Sequence, residues 1–204
     1  MNKIWRLTGG IKLADYHKTM STHDITRTLT ATTGEHLVIP LLQHAGNKPE
    51  LKVSVGDYVY KGQCLAEPQG RISAAIHAST SGTVVAIEPR LVAHDSDRCV
   101  VVEADGLDDW GSARLPILDY PTQSPSALQE RLRACGVVGL GGAVFPTDVK
   151  LTVRNPLQTL ILNGAECEPY ITCDDRLMRE RADEIVAGIQ IIRHMLQPVT
   201  CQIG

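Results

Sequence analysis

The chain has 204 residues, 43% of them hydrophobic and 21% charged, with a net charge of −3. That balance belongs to a soluble globular protein and leaves no basic field for nucleic acid or a lipid surface. Apolar runs such as 159–162 and 136–140 fall far short of the roughly 20 residues a bilayer span needs, and the opening Met1-Asn2-Lys3-Ile4-Trp5-Arg6 has no apolar region of the signal-peptide kind.

Residues 1–34 are rich in threonine, carry Gly9-Gly10, and are expected to form an extended arm. Residues 35–105 read as all-β. Short β-rich runs such as Tyr58-Val59-Tyr60 are punctuated by the turn signals Gly56-Asp57, Lys61-Gly62 and Ser81-Gly82. Thr83–Ile87 is expected as a strand ended by Pro89, and Cys99–Val102 as a buried strand. Close spacing of such strands suggests a small sandwich or barrel. Residues 106–123, with Pro116 and Pro121, form a linker.

The pattern turns to α/β over residues 124–204. Ser124 is a good N-cap with Pro125 at the first helical position, and Leu128, Leu132 and Cys135 follow at helical spacing up to Gly136. Leu157–Leu162 is a strand candidate. A single long helix is expected over Asp174–Gln197, with Leu177, Ile185, Ile189, Ile192 and Leu196 on one face and Pro198 as its stop. With only one clear strand, this half reads as an incomplete α/β domain.

Three stretches bear on chemistry. Val55–Glu67 followed by Ala78–Val84 resembles a biotinyl/lipoyl carrier, but the expected hairpin tip, Pro68-Gln69-Gly70-Arg71-Ile72, holds no lysine to acylate. The fold signal is therefore good and the carrier function poor. Gly139-Leu140-Gly141-Gly142-Ala143-Val144-Phe145-Pro146-Thr147-Asp148-Val149-Lys150 is glycine-rich; missing Cβ atoms let backbone amides approach a phosphate or a flat ring, and Lys150 adds a point charge. It matches neither the dinucleotide nor the P-loop pattern. Asn163-Gly164-Ala165-Glu166-Cys167-Glu168 follows the expected strand, where ligands bind in open α/β sheets. Taken singly, these last two stretches read as a loop and a solvated acidic turn. The charged run Asp174–Glu184 reads as a solvated helix face with pairs such as Asp175–Arg179.

The six cysteines lie at 64, 99, 135, 167, 173 and 201. None makes the close spacing that a ferredoxin cluster requires, so they are read as reduced thiols. The seven histidines show no metal-ligand spacing, and no metal site is assigned.

Together, the glycine stretch and the Asn163–Glu168 stretch resemble the flavin and NADH region of the RnfC family, the NADH-oxidising component of the Rnf/Rsx electron-transport complex. More distantly they are similar to the NADH-binding flavoprotein of respiratory complex I. Leu41–Gly46, Val55-Gly56-Asp57 and Ala78–Val84 fit the same family, so the resemblance spans nearly the whole chain. It implies a mixed α+β fold: a barrel-sandwich hybrid β-domain, then the first part of a Rossmann-like nucleotide-binding domain. It implies that NADH reduces FMN and that electrons pass to 4Fe-4S clusters. Those clusters lie in a C-terminal part of family members that is absent from these 204 residues, and the chain is read as a fragment. Gly139, Gly141, Gly142 and Lys150 would line the FMN phosphate and NADH. Phe145 would stack near adenine, Asn163 would face the ribityl chain, and Glu166 and Glu168 would hold the nicotinamide nucleotide. No residue is assigned a catalytic role.

The partners implied are NADH and the other subunits of a membrane complex, docked peripherally at the cytoplasmic face of the bacterial inner membrane. Three positions depart from the family. Val144 stands where glycine is usual, which removes the positive-φ option. Ala165 stands where complex I relatives have aspartate, and Lys12-Leu13-Ala14 replaces the usual segment after Gly-Gly. A second reading is a non-catalytic scaffold that docks other subunits. The isolated chain is expected to lack NADH dehydrogenase activity.

Overall fold

The computed structural model describes residues 13–15, 17–18, 27–92, 95–153, 155–166 and 168–204. Most of the expected arm, including Gly9-Gly10, and Cys167 lie outside the described residues.

Seven strands build the β-domain: β1 (His36–Pro40), β2 (Glu50–Leu51), β3 (Tyr58–Val59), β4 (Cys64–Glu67), β5 (Ile76–His77), β6 (Gly82–Val92) and β7 (Asp95–Ala104). They form one sheet ordered β1-β7-β6-β3 and a second ordered β2-β4-β5. All pairings are antiparallel. The positive φ of Gly56 (96°) and Gly62 (75°) turns the chain at two of the three predicted breaks. Between the sheets lies an aliphatic core of Ile39, Leu41, Val53, Val59, Leu65, Ile76, Val84, Val100 and Val102. Low aromatic content is met by many small β-branched contacts, each full burial of a Val or Leu side chain contributing roughly 1.5–3 kcal/mol.

Pro89 does not end its strand. β6 runs through it, with Pro89 opposite Arg98 of β7. Val84 still bonds Gly56 and Asp57 on the other side of β6, but beyond it no strand among the described residues pairs with that side, because β3 reaches only Gly82 and Thr83. Edge positions tolerate a residue that cannot donate to the ladder.

The second half contains α1 (Pro125–Ala134), α2 (Thr147–Lys150), β8 (Thr159–Leu162), α3 (Cys173–Glu180), α4 (Ala182–Leu196) and β9 (Thr200–Ile203). Ser124 caps α1 by accepting from the Ala127 N–H at 3.2 Å, and Gly136 (φ 66°) ends the helix as expected.

Two expectations are corrected here. The helix predicted over Asp174–Gln197 is two helices, broken at Arg181 (φ −128°, ψ 32°). The Arg181 N–H still closes α3 on the Leu177 carbonyl, while its own carbonyl accepts from Glu184 and Ile185 to start α4. Asp183 and Glu184 then sit in the first turn of α4, where the helix dipole favours carboxylates. The half also holds a second strand: β9 pairs parallel with β8, Thr159 opposite Thr200 through Leu162 opposite Ile203. β8, α3, α4 and β9 thus make a crossover unit of two parallel strands joined by helices.

Candidate functional site

The glycine stretch folds as a tight hairpin after α1. Val138 bridges to Pro146, Gly139 N–H donates to Phe145 O at 2.9 Å, and Thr147 N–H donates to Val137 O at 3.0 Å. At the tip, Val144 N–H donates to Gly141 O at 2.9 Å, and Val144 O accepts from Ala45 N–H of the β-domain at 3.2 Å. Val144 adopts φ 42°, so the expectation that a β-branched residue removes the positive-φ option is corrected. The two bonds hold it there against a left-handed penalty of roughly 1–2 kcal/mol. Beneath the tip, buried His44 accepts the Ala74 N–H on Nε2 at 3.1 Å.

Gly141 and Gly142 have open space where a Cβ would stand, and neither takes a positive φ. The chain's own packing and turn geometry thus give no reason for glycine at either position. A Cβ on Gly139 would collide with Lys150 Nζ, so the lysine ammonium lies directly over the loop backbone. Phe145 is half-buried and Lys150 exposed.

The Asn163–Glu168 stretch lies at the carboxyl ends of β8 and β9. Gly164 N–H donates to Gly204 O at 2.8 Å, and a Cβ there would stand 3.0 Å from Met178 Sδ. Asn163 Oδ1 accepts from Ala165 N–H at 3.0 Å. A pocket of about 140 Å³ opens among Leu162, Asn163, Gly164, Asp174, Leu177 and Met178. The two predicted carboxylates differ in kind. Glu168 is exposed. Glu166 is engaged by the chain itself: Oε1 accepts from Asp174 N–H at 2.8 Å, in the first turn of α3, and Oε2 lies 3.7 Å from Lys18 Nζ. Cys173 Sγ and the carboxylates of Glu166 and Asp174 lie within 4.8 Å of one another, but the engagement of Glu166 makes this group a helix cap.

The predicted site residues therefore fall into two groups. Gly139, Gly141, Gly142, Phe145 and Lys150 share the hairpin; Asn163, Glu166 and Glu168 share the strand-end loop. The pocket under the hairpin and the pocket beside Asn163 have no residue in common.

Sequence reasoning missed two residues that organise these groups. Arg133, on α1, donates to Arg71 O at 3.0 Å and to Gly70 O, and lies 3.7 Å from Asp148 of α2. It ties the would-be carrier tip to the helical half. Lys18 lies 150 residues from the backbone carbonyl of Glu168 to which it donates. Neither partnership leaves a local sequence signal.

Residues 5–107 match the family described as the RnfC Barrel sandwich hybrid domain. The chain belongs to the RnfC family. Its residues 132–204 match the Nuo51 FMN-binding domain. Among its relatives are RnfC-type components of ion-translocating oxidoreductase complexes. The one from Pasteurella multocida is 48% identical to this RnfC chain over 200 residues, covering 96% of the chain and 24% of the relative. Its counterpart of the same name from Serratia proteamaculans is 47% identical over 207 residues, covering 100% and 29%. That from Actinobacillus succinogenes is 46% identical over 200 residues, covering 96% and 28%. The chain thus spans about a quarter to three tenths of the length of the curated relatives it matches. No helix among the described residues of the RnfC chain is long and apolar enough to cross a membrane. Its hairpin fits an FMN-binding domain: Gly141 and Gly142, whose missing side chains leave an open face, and a lysine ammonium against Gly139 of the same hairpin.

Proposed function

We propose that this chain is the flavin-binding part of an electron-input subunit that receives electrons from NADH within a membrane-bound, ion-translocating oxidoreductase complex. The observation that carries this reading is a glycine hairpin with an open face at Gly141 and Gly142 and the Lys150 ammonium against Gly139. When bound, FMN supplies the chemistry, accepting a hydride from NADH and releasing electrons singly. The chain's own residues bind and orient. Gly141 and Gly142 present backbone to the nucleotide without side-chain obstruction, Gly139 makes room for the Lys150 ammonium over the loop, and Lys150 offsets phosphate charge. Asn163 faces the ribityl chain and Phe145 stacks near adenine. Glu168, exposed at the strand ends, meets the nicotinamide nucleotide, while Glu166 acts by holding the start of α3. Its partners are the other subunits of the complex, at the cytoplasmic face of the bacterial inner membrane, and the electrons pass on to 4Fe-4S clusters.

Flavin fluorescence of the 204-residue chain titrated with FMN tests this reading. Saturable quenching at micromolar FMN, weakened about tenfold or more in Gly142→Val by the side chain filling the open face, is expected. Absence of quenching up to millimolar FMN would sink it.

The scaffold reading has one observation in its favour. The hairpin tip where carriers hold their lysine is docked on α1 through Gly70 O, Arg71 O and Arg133. A tethered tip suits a β-domain that supports its neighbour, and the two roles are compatible in one chain.

A further inference from the structure

The loop between β8 and α3 is crossed by a segment from the other end of the chain. Lys18 Nζ donates to Glu168 O at 2.6 Å and to Ile171 O at 2.7 Å, and lies 3.7 Å from Glu166 Oε2. Beside it, the His17 ring stacks on the Tyr170 ring, centroids 4.7 Å apart and planes within 18°. Tyr170 stands at φ 69°, a conformation that a bulky residue keeps only when its surroundings impose it. One ammonium thus collects two backbone carbonyls and a carboxylate from a single six-residue turn, and that carboxylate also receives the Asp174 amide.

We propose that Lys18 is a positioning residue of the nucleotide site. Docked across 166–171, it fixes the loop conformation in which Asn163 meets the flavin nucleotide and Glu168 the nicotinamide nucleotide. The inference rests on the flavin-binding reading above and deepens it. Charge-assisted bonds to two carbonyls tie the turn to the segment at 17–18. Removing the ammonium strands both carbonyls and leaves Glu166 without its cation, so the turn opens and Glu168 loses its place. His17 stacked on Tyr170 closes the outer side of the same turn.

Two readouts on the 204-residue chain test this. Cleavage after Tyr170, exposed in the same turn, by chymotrypsin, followed by mass spectrometry, is expected to run about tenfold faster in Lys18→Met than in the parent. Lys18→Arg, which keeps charge and donors, should restore most of the protection. The FMN dissociation constant should rise about tenfold in Lys18→Met, with thermal melting of the chain unchanged, a combination that a merely structural role would not give. Equal cleavage of parent and Lys18→Met overturns the proposal. Faster cleavage with unchanged FMN affinity also overturns it, because the loop would then be fixed for no purpose at the nucleotide site. Were the parent to bind no FMN at all, the flavin reading would fall instead, and the cleavage ratio alone would decide whether Lys18 positions the loop.

Discussion

Tyr58 Oη donates to Asp105 Oδ2 at 2.6 Å. The other carboxylate oxygen accepts from Ser81 Oγ and from Leu107 N–H, both at 2.8 Å, and Ser81 Oγ accepts from Asp109 N–H at 2.9 Å. A single carboxylate thus gathers the ends of β3 and β7, the residue before β6 and the start of the linker. The Tyr58 hydroxyl holds the Asp105 carboxyl below its usual range. A depressed acid stabilises the fold above its unfolded value and loses that contribution as pH falls through its folded value. Asp105→Ala is therefore expected to lower the melting temperature at neutral pH, with the gap to the parent closing as pH falls below 3.8. Melting curves across that range check it; a gap independent of pH would mean that the carboxylate charge is irrelevant.

His77 titrates with the opposite proton bookkeeping. Burial against α1 pushes its pKa down, partly offset by a bond to the Ala134 carbonyl. The unfolded chain therefore binds the proton more readily. Stability from the neutral ring is present above about pH 6.5 and is lost as pH falls toward the folded value. Denaturant unfolding of His77→Gln at about pH 7.5 and about pH 5.5 should show a smaller acid loss than the parent. An equal loss would refute the burial account.

Val144 offers a test of local strain. At φ 42°, relief of roughly 1–3 kcal/mol of strain outweighs the roughly 0.5–1 kcal/mol that glycine adds in chain entropy. Val144→Gly should stabilise the chain by about 1 kcal/mol in urea unfolding. A destabilised variant would show that the valine methyl groups, at the edge of the pocket formed with His44 and Ile76, matter more than the backbone.

Arg133 joins the two halves through its bonds to Gly70 O, Arg71 O and Asp148. Arg133→Met keeps the aliphatic stem and removes the donors. A loss of about 1 kcal/mol is expected, carried mainly by the buried Asp148 carboxylate, since water replaces the donors at the exposed Gly70 and Arg71 carbonyls. Unfolding free energies of Arg133→Met, Asp148→Asn and the double variant, compared in a cycle, would isolate the Arg133–Asp148 share.

The β-domain was legible because its turns and alternation are local: Gly56, Gly62 and Gly82 mark the chain reversals, and Val84 and Val100 sit where the pattern puts them. Ser124 and Gly136 likewise bounded α1 by short-range chemistry. The break at Arg181 was not legible, because its flanking residues all have helix-compatible side chains and only the backbone turn separates α3 from α4. Strand β9 was hidden by its four-residue length and by the polar Thr200 and Gln202. For the candidate site, residue types pointed to the two loops. What each side chain does depended on distant partners: Lys18 for Glu166, Ala45 for Val144. Glutamate at position 166 looks ligand-facing in the sequence and proves to be half of an internal contact.

The bond from Ala45 N–H to Val144 O fastens the rim of the β-domain to the tip of the glycine hairpin, and two-state melting of the 204-residue chain would make them one cooperative unit. Whatever grips the hairpin in its folded form must then also raise the melting temperature of the valine-rich core some distance away, by mass action alone. A cavity made at Leu65 would, in return, cost such a ligand part of its apparent affinity near the melting temperature, although no atom near Gly141 or Gly142 had changed.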